Sequence, residues 1–402
     1  MVSEVYICEA LRSPRGRGRA GGRLASIKPV RLAAQLLSDL QRRSGLKPSD
    51  IDDIVLGCVS PVGEQGGTLG RTAALLNGWD DCGPGMHVNR FCASGLEAIH
   101  IGAQKIRSGW EHLVVAGGVE TMSRVPMFSD GGAWQFDPEI SVATGYVPQG
   151  ISADLIATLG NIDRHALDEF AARSHQNAAA AWAEDRFAGS VVPVTDEFST
   201  VLLERDENIR ANATMESLAA LKPVFDGIGQ AGFDHVALGR YPHVQSIRHL
   251  HTAGNSSAIV DGAALVLLAS GEMAAKANLR PRARIVSVAV CASEPTIMLT
   301  GPVPASRKAL ALAGLDFSDI DLFEVNEAFA AIPLNFMAET GVPIERINID
   351  GGAIAMGHPL GATGAMLVGT LVDALERTGG RHGLVTMCIG AGMGIATVIE
   401  RV

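Results

Sequence analysis

The sequence predicts an α/β protein in which two duplicated halves stack as a layered sandwich, with a long excursion inserted in the first half. Three observations predict it. Residues 45–52, GLKPSDID, return as residues 314–321, GLDFSDID, an offset of 269. The same offset takes Asn89 to His358, Ala93 to Ala362 and Gly95 to Gly364. Two matches at one offset mark an internal repeat. Second, residues 362–372 carry no charge. A helix apolar all round is buried on all sides, so this one belongs between sheets. Third, residues 121–251 break the alternation of strands and helices. At 402 residues the chain is long enough for more than one domain. The predicted division is 1–120 plus 252–279 as the first half, 121–251 as an inserted loop domain and 280–402 as the second half.

The elements follow in order. Residues 2–8 alternate like a strand. A basic, glycine-rich stretch at 12–19 reads either as a loop facing an anionic ligand or as a solvated surface loop. Residues 28–44 have helical periodicity and 51–56 strand character. Residues 86–88 are a short apolar strand. After Cys92, apolar Leu96, Ile99, Ala103 and Ile106 recur at spacings of three and four, with Gly109 as the stop. Residues 113–116 form a buried strand ended by two glycines. Residues 163–187 make one long helical pattern with Asn161 or Asp163 as cap. Residues 204–251 are irregular. Their histidines, His235, His243, His249 and His251, lack a tight ligand spacing and read as loop histidines. Strand character returns at 264–268.

Composition excludes several classes. A formal charge of −10 argues against a nucleic-acid binder. Six cysteines without regular spacing read as reduced thiols, which predicts a cytoplasmic protein. No metal-ligand cluster appears. No secretory leader or membrane helix is expected.

The chemistry concentrates at a few turns. Cys92, in Asn89-Arg90-Phe91-Cys92-Ala93-Ser94-Gly95, sits where a strand turns into a helix. The helix N-terminus favours an anion there and should lower the thiol pKa, which suits a nucleophile. Read alone, Cys92 is more readily a small buried residue at a tight turn, and it is the rest of the chain that favours the nucleophile. His358 lies in a glycine-rich turn, 351–361, where it can accept a proton or bind an oxyanion. Cys388 ends a strand before Gly390, as an acid/base thiol or a buried strand cysteine. The Gly390 N–H can bind an oxyanion. Asn326 can hold a water or cap a helix, and Glu327 can orient either the water or His358.

Together these motifs resemble the thiolase family: NxxCxSG at Cys92, NEAF at Asn326, GGAIAxGHPxGATG at His358 and CIGxGMG at Cys388. Ser256 and Ser257 fit as well. The resemblance runs nearly end to end and is weakest over 121–251. Four ordered motifs are far more specific than one glycine loop. The resemblance implies a five-layer αβαβα fold and thiolysis of 3-oxoacyl-CoA through an acyl-Cys92 intermediate. Coenzyme A would be the co-substrate, with no permanently bound cofactor and no metal. His358 would activate Cys92, Cys388 would move the substrate proton, and Asn326 would hold a water. The Cys92 and Gly390 N–H groups would line the oxyanion site. Arg210, Ser217, Phe225 and Ser257 would contact CoA.

The chain departs from the pattern in three places. Biosynthetic thiolases often carry His-Met before a Gly-x-Thr-Ala-Glu-Asn stretch, whereas here Val147-Pro148-Gln149 precedes Gly150-Ile151-Ser152-Ala153-Asp154. A polar Gln149 should reshape the acyl pocket. Residues 123–147 are shorter than in tetrameric relatives, so a homodimer is expected, with a tetramer as the alternative. Residues 226–251 are longer than in the simple acetoacetyl-CoA enzymes. These features favour a degradative enzyme with a roomier acyl pocket, for which a hydratase/dehydrogenase partner is conceivable. Biosynthetic acetoacetyl-CoA formation is the alternative. A decarboxylating ketoacyl synthase is disfavoured by Cys388. A non-catalytic acyl or lipid carrier is disfavoured by the presence of both nucleophile and base.

Overall fold

The protein is described by a computed structural model covering residues 3–402. The repeat is realised element by element. Strands starting at Asp53 and Leu322, helices starting at Ser94 and Thr363, and strands starting at Leu113 and His382 are each 269 residues apart (322 − 53, 363 − 94, 382 − 113). The helices Pro29–Ser44 and Pro302–Ala313 also end 269 residues apart, each opening on a proline at its first turn and closing on a left-handed glycine.

Ten strands form one mixed sheet, and Val194–Thr195 pairs with Val201–Leu203 in a separate two-stranded one. The order of the large sheet is Leu322–Val325, His382–Ile389, Met393–Arg401, Ala283–Ala292, Val5–Arg12, Val260–Ser270, Leu113–Thr121, Asp53–Gly57, Gly85–Val88, with the short Gly16–Arg17 pairing at the side of Val260–Ser270. The two halves meet at a seam of two residue pairs, Tyr6 with Arg284 and Ile7 with Ala283. The long strand Val260–Ser270 pairs in the first half, between Val5–Arg12 and Leu113–Thr121.

The layers follow from which side chains pack together. Leu96, Ile99 and Ile106 of the Ser94–Arg107 helix share one core with Met366, Val368 and Leu371 of the Thr363–Thr378 helix. Strand residues of both halves close that core from either side, among them Val114 and Val266, then Val385 and Ile395. A second core packs the outer helix Pro29–Ser44 on the first half, and a third packs Pro302–Ala313 and Ala331–Thr340 on the second. The result is helix, sheet, paired central helices, sheet, helix: the five-layer αβαβα sandwich. Every residue of Thr363–Val372 is buried. Burying each large apolar side chain stabilises by about 1.5–3 kcal/mol, which explains the absence of charge there.

The central helices meet at their N-termini because the second residue of each is glycine. A Cβ on Gly95 would sit 2.6 Å from Gly361 O. A Cβ on Gly364, its repeat mate, would run into the backbone of Leu96. This contact draws the turns bearing Cys92 and His358 together.

Some expectations change. The strand predicted at 51–56 is Asp53–Gly57, preceded by a 3-10 turn at Pro48–Asp50. The 163–187 helix is Arg164–Ala183, capped by the Asp163 carboxylate accepting from Ala166 N. The irregular 204–251 stretch contains short helices at Met215–Ala219 and Asp234–Arg240. The basic stretch at 12–19 is neither anion-facing nor solvated at its start: Arg12 is 3% and Arg15 1% exposed. Both are folded inward by Asp206, which accepts from Arg12 at 2.8 and 2.9 Å and from Arg15 N at 2.8 Å. No helix among the described residues is long and apolar enough to cross a membrane.

Candidate active site

Cys92 stands between the strand Gly85–Val88 and the helix Ser94–Arg107. The residue before it, Phe91, has φ 45°, an uncommon conformation for a large side chain and the mark of a tight elbow. Ser94 pins the elbow, accepting from Arg90 N and donating to Phe91 O. The elbow delivers Cys92, almost fully buried, to the N–H of Gly390 and the side-chain amide of Gln149. The thiol pKa is raised, not lowered as the helix terminus alone predicts. Burial outweighs the donors from Gln149, Cys92 N–H and Gly390, and Glu120 adds to the rise. At rest Cys92 is therefore a thiol and needs a base.

His358 is the candidate base, on a turn that packs against the Cys92 turn through Gly361 and Gly95. Thr363 Oγ1 donates to Pro359 O at 2.9 Å, which uses its one proton. The 2.6 Å contact between Thr363 Oγ1 and His358 Nδ1 is then donated by the ring, leaving Nε2 unprotonated, as an acceptor. Burial first and the Arg15 cation second bring the His358 pKa down to about 3, so the ring is neutral at working pH. Asn326 Nδ2 lies 3.3 Å from Nε2. Asn326 is no helix cap. Its N–H donates to Thr386 O, and the next helix starts only at Ala331. Its Oδ1 is buried with no partner among the described residues, a lone pair open to a polar ligand atom.

Cys388 is buried on the strand His382–Ile389, and its pKa is raised well above the ordinary value, by burial first and by Cys92 second. The two sulfurs are thus electrostatic neighbours, both protonated at rest.

Buried carboxylates fasten these turns. Glu120 accepts from Val59 N, Ser60 N, Gln65 Nε2 and, across the halves, Gly361 N at 2.9 Å. Glu327 does not orient His358 directly. It accepts from Ser174 Oγ at 2.6 Å, Asn348 Nδ2 at 2.8 Å and Ile354 N at 3.1 Å, and so holds the loop that leads to His358.

The CoA candidates divide. Phe225 packs edge-on against Phe329 with ring centroids 5.9 Å apart and fills the space over Gly150. Ser257 N donates to Ala328 O at 2.9 Å. Both therefore flank the NEAF segment. Arg210 and Ser217 stand exposed on the inserted segment, and the Ser217 hydroxyl is engaged in the capping box of Met215–Ala219. Sequence reasoning gave Gln149 only a pocket-shaping part, yet its amide faces the thiol and lies 3.5 Å from the place of a Cβ on Gly390. It also read His249 and His251 as ordinary loop residues. His249 bridges Asp154 and Asp234 at 2.9 Å each, and fully buried His251 holds Asp154 at 2.7 Å. This cluster ties the inserted segment together. Its partners lie 15 to 97 residues away, so no local pattern announces it.

Models described as the thiolase N-terminal domain and the thiolase C-terminal domain match residues 5–232 and 279–401. A 3-ketoacyl-CoA thiolase of Erwinia tasmaniensis is 42% identical, with 100% of each chain aligned. One of Klebsiella pneumoniae is 43% identical over the same extent. The crystal structure of the Bacillus anthracis acetyl-CoA acetyltransferase superposes with a TM-score of 0.87 at 34% identity, covering 100% of this chain and 99% of that one.

Proposed function

The chain belongs to the thiolase family of acyltransferases, and on that footing we propose that it cleaves 3-oxoacyl-CoA with CoA to acyl-CoA and acetyl-CoA. The observation that carries this reading is the neutral His358 with Nε2 unprotonated, on a turn that packs through Gly361 against the turn burying a protonated Cys92. His358 Nε2 takes the Cys92 proton and the thiolate attacks the keto carbon. The Cys92 and Gly390 N–H groups receive the developing oxyanion, each such donor being worth about 3–4 kcal/mol of barrier. The carbon–carbon bond then breaks, its electron pair leaving as the acetyl-CoA enolate. His358 and a water on Asn326 stabilise the enolate, and Cys388 gives it a proton. The thiol of free CoA attacks the acyl-Cys92 thioester, loses its proton to Cys388, and releases the Cys92 thiolate, which recovers its proton from His358.

Residues 121–251 act as the CoA-binding insertion, with Phe225 and Ser257 near the thioester and Arg210 and Ser217 at the rim. Phe91, Trp134, Tyr146 and Phe233 form a run of ring contacts beginning beside Cys92, with centroids 5.8, 4.8 and 6.1 Å apart. They supply an apolar wall for acyl groups larger than acetyl, which favours the degradative direction. Acetoacetyl-CoA formation is the same path reversed, and the name of the Bacillus anthracis relative keeps it as the second reading. The assembly is read as a homodimer in the cytoplasm; sedimentation velocity measures the first.

The test is thiolysis across a series of 3-oxoacyl-CoAs of rising length, with mass spectrometry of the acyl-enzyme. Acylation on Cys92 and better kcat/KM for longer chains support the reading, and a strong preference for acetoacetyl-CoA overturns the degradative direction. Gln149→Met should slow iodoacetamide alkylation of Cys92 by roughly threefold to tenfold at pH 7, since one donor to the sulfur is lost.

A further inference from the structure

Two arginines enter the core from the N-terminal loop, but only one acidic group is there to meet them. Arg12 takes both oxygens of Asp206, and Trp182 Nε1 adds a 3.0 Å bond to the same carboxylate. Arg15 receives from Asp206 only a backbone contact, through its N–H. Its guanidinium runs on into the central layer. There Nη1 donates to Gly357 O at 2.8 Å and Nε points at Met366 Sδ at 3.2 Å.

No carboxylate closes an ion pair with Arg15 within 4 Å among the described residues. Asp206 is the carboxylate that acts most on its charge, but both Asp206 oxygens are taken by Arg12; Glu324 comes next and is a poor partner. Burial, then Asp350 and Glu327, push its pKa well above the ordinary value, and its Oε2 has no hydrogen-bond partner among the described residues. Arg15 itself is lowered only to about 10 and stays charged at neutral pH. A buried, unpaired cation is expensive, at several kcal/mol even after relaxation. Packing alone gives no reason for it, since a methionine of similar length would fill the space.

Its position gives the reason. Gly357 precedes His358 and has φ +97°, and a Cβ there would run into Val260. The carbonyl that Arg15 grips therefore belongs to a backbone link with little freedom. We propose that Arg15 is a positioning residue for His358: it clamps the carbonyl preceding the imidazole and sets a fixed positive charge beside the ring. This rests on the reading of His358 as the base for Cys92.

The consequence is a base that is neutral, with its lone pair available, before each turnover begins. A ring that stayed charged would offer no lone pair to the next thiol. Other titratable groups around His358 do not supply this effect. Cys92 and Cys388 are protonated thiols, and the carboxylates of Glu120 and Glu327 are directed to the N–H groups of Gly361 and Ile354.

The test is a pH profile from pH 3 to 8, taken by brief jumps from pH 7 and read two ways: kcat/KM for thiolysis and the rate of Cys92 alkylation by iodoacetamide, which needs no acyl-CoA. In the parent both profiles should be level on the acid side until the pH approaches the His358 value of about 3. Arg15→Met and Arg15→Gln should move that falling acid limb up by about one pH unit or more. Arg15→Lys should keep the parent's limb with a lower kcat. Parent-like limbs in the neutral variants overturn the proposal, as does a limb in Arg15→Lys shifted as far as theirs. Arg15→Gln can still donate to Gly357 O, so it carries the test if Arg15→Met fails to fold. If neither neutral variant folds, the limb of Arg15→Lys decides. Failure of thiolysis with a shifted alkylation limb would sink the activity assigned above and leave this coupling standing.

Discussion

His358 Nδ1 and Thr363 Oγ1 lie 2.6 Å apart across the first turn of the second central helix, and this bond sets which ring nitrogen is free. Thr363→Val keeps the shape but leaves a buried N–H without a partner and frees the ring to turn. We expect kcat to fall about 10- to 100-fold, the scale on which small misplacement of a catalytic group acts. Melting should change little and KM for CoA not at all. An unchanged kcat would show that the tautomer is set elsewhere.

Cys388→Ser separates the two halves of the reaction. Cys92 should still be acylated by an acyl-CoA, as seen by mass spectrometry, because that exchange breaks only a thioester. Cleavage of the carbon–carbon bond should slow by at least about 100-fold, the range of general acid–base contributions. Equal losses in both half-reactions would remove the acid/base role from Cys388.

Gly364→Ala tests the contact between the central helices. The added methyl meets the backbone of Leu96, which cannot move aside as a flexible side chain can. The cost should exceed about 2 kcal/mol, with loss of soluble protein or a drop in denaturation midpoint. Gly379→Ala, at a left-handed position with open space around it, is the control and should cost only about 1 kcal/mol.

Stability should fall on mild acidification. His100 and His358 are brought down to about 3 and His175 to about 4, in each case by burial first. The native protein holds these rings neutral, whereas the unfolded chain protonates them near their ordinary value of about 6.5. Between those limits the unfolded state binds more protons, so stability rises with pH and is lost as pH drops below about 6.5. Each ring contributes up to about 1.4 kcal/mol per pH unit. His100→Gln, which can still bond Thr397, should flatten the denaturation profile between pH 5 and 6.5 by about one proton. An unaltered slope would show that His100 is charged in the fold.

Much of this was legible in the chain. The 269-residue repeat survives because both halves keep their helix and strand boundaries, and the uncharged stretch at 362–372 marks the central layer. The turns carrying Cys92, His358 and Cys388 stand out because glycine lets backbone approach backbone. Arg15 was not legible: beside Pro14 and Gly16 it reads as loop, and the group that folds it inward, Asp206, lies 191 residues on. Nor was the direction of the Cys92 pKa. The helix end is visible in the sequence, but the burial that outweighs it comes from both halves closing.

The turns leading into the paired central helices carry Cys92 and His358, while Trp134, Tyr146 and Phe233 of the aromatic run come from residues 121–251. On the function proposed above, bond-making and selectivity are housed in separate pieces of chain, so redrafting residues 121–251 should change the fatty tail accepted and leave the carbon-bond machinery in place.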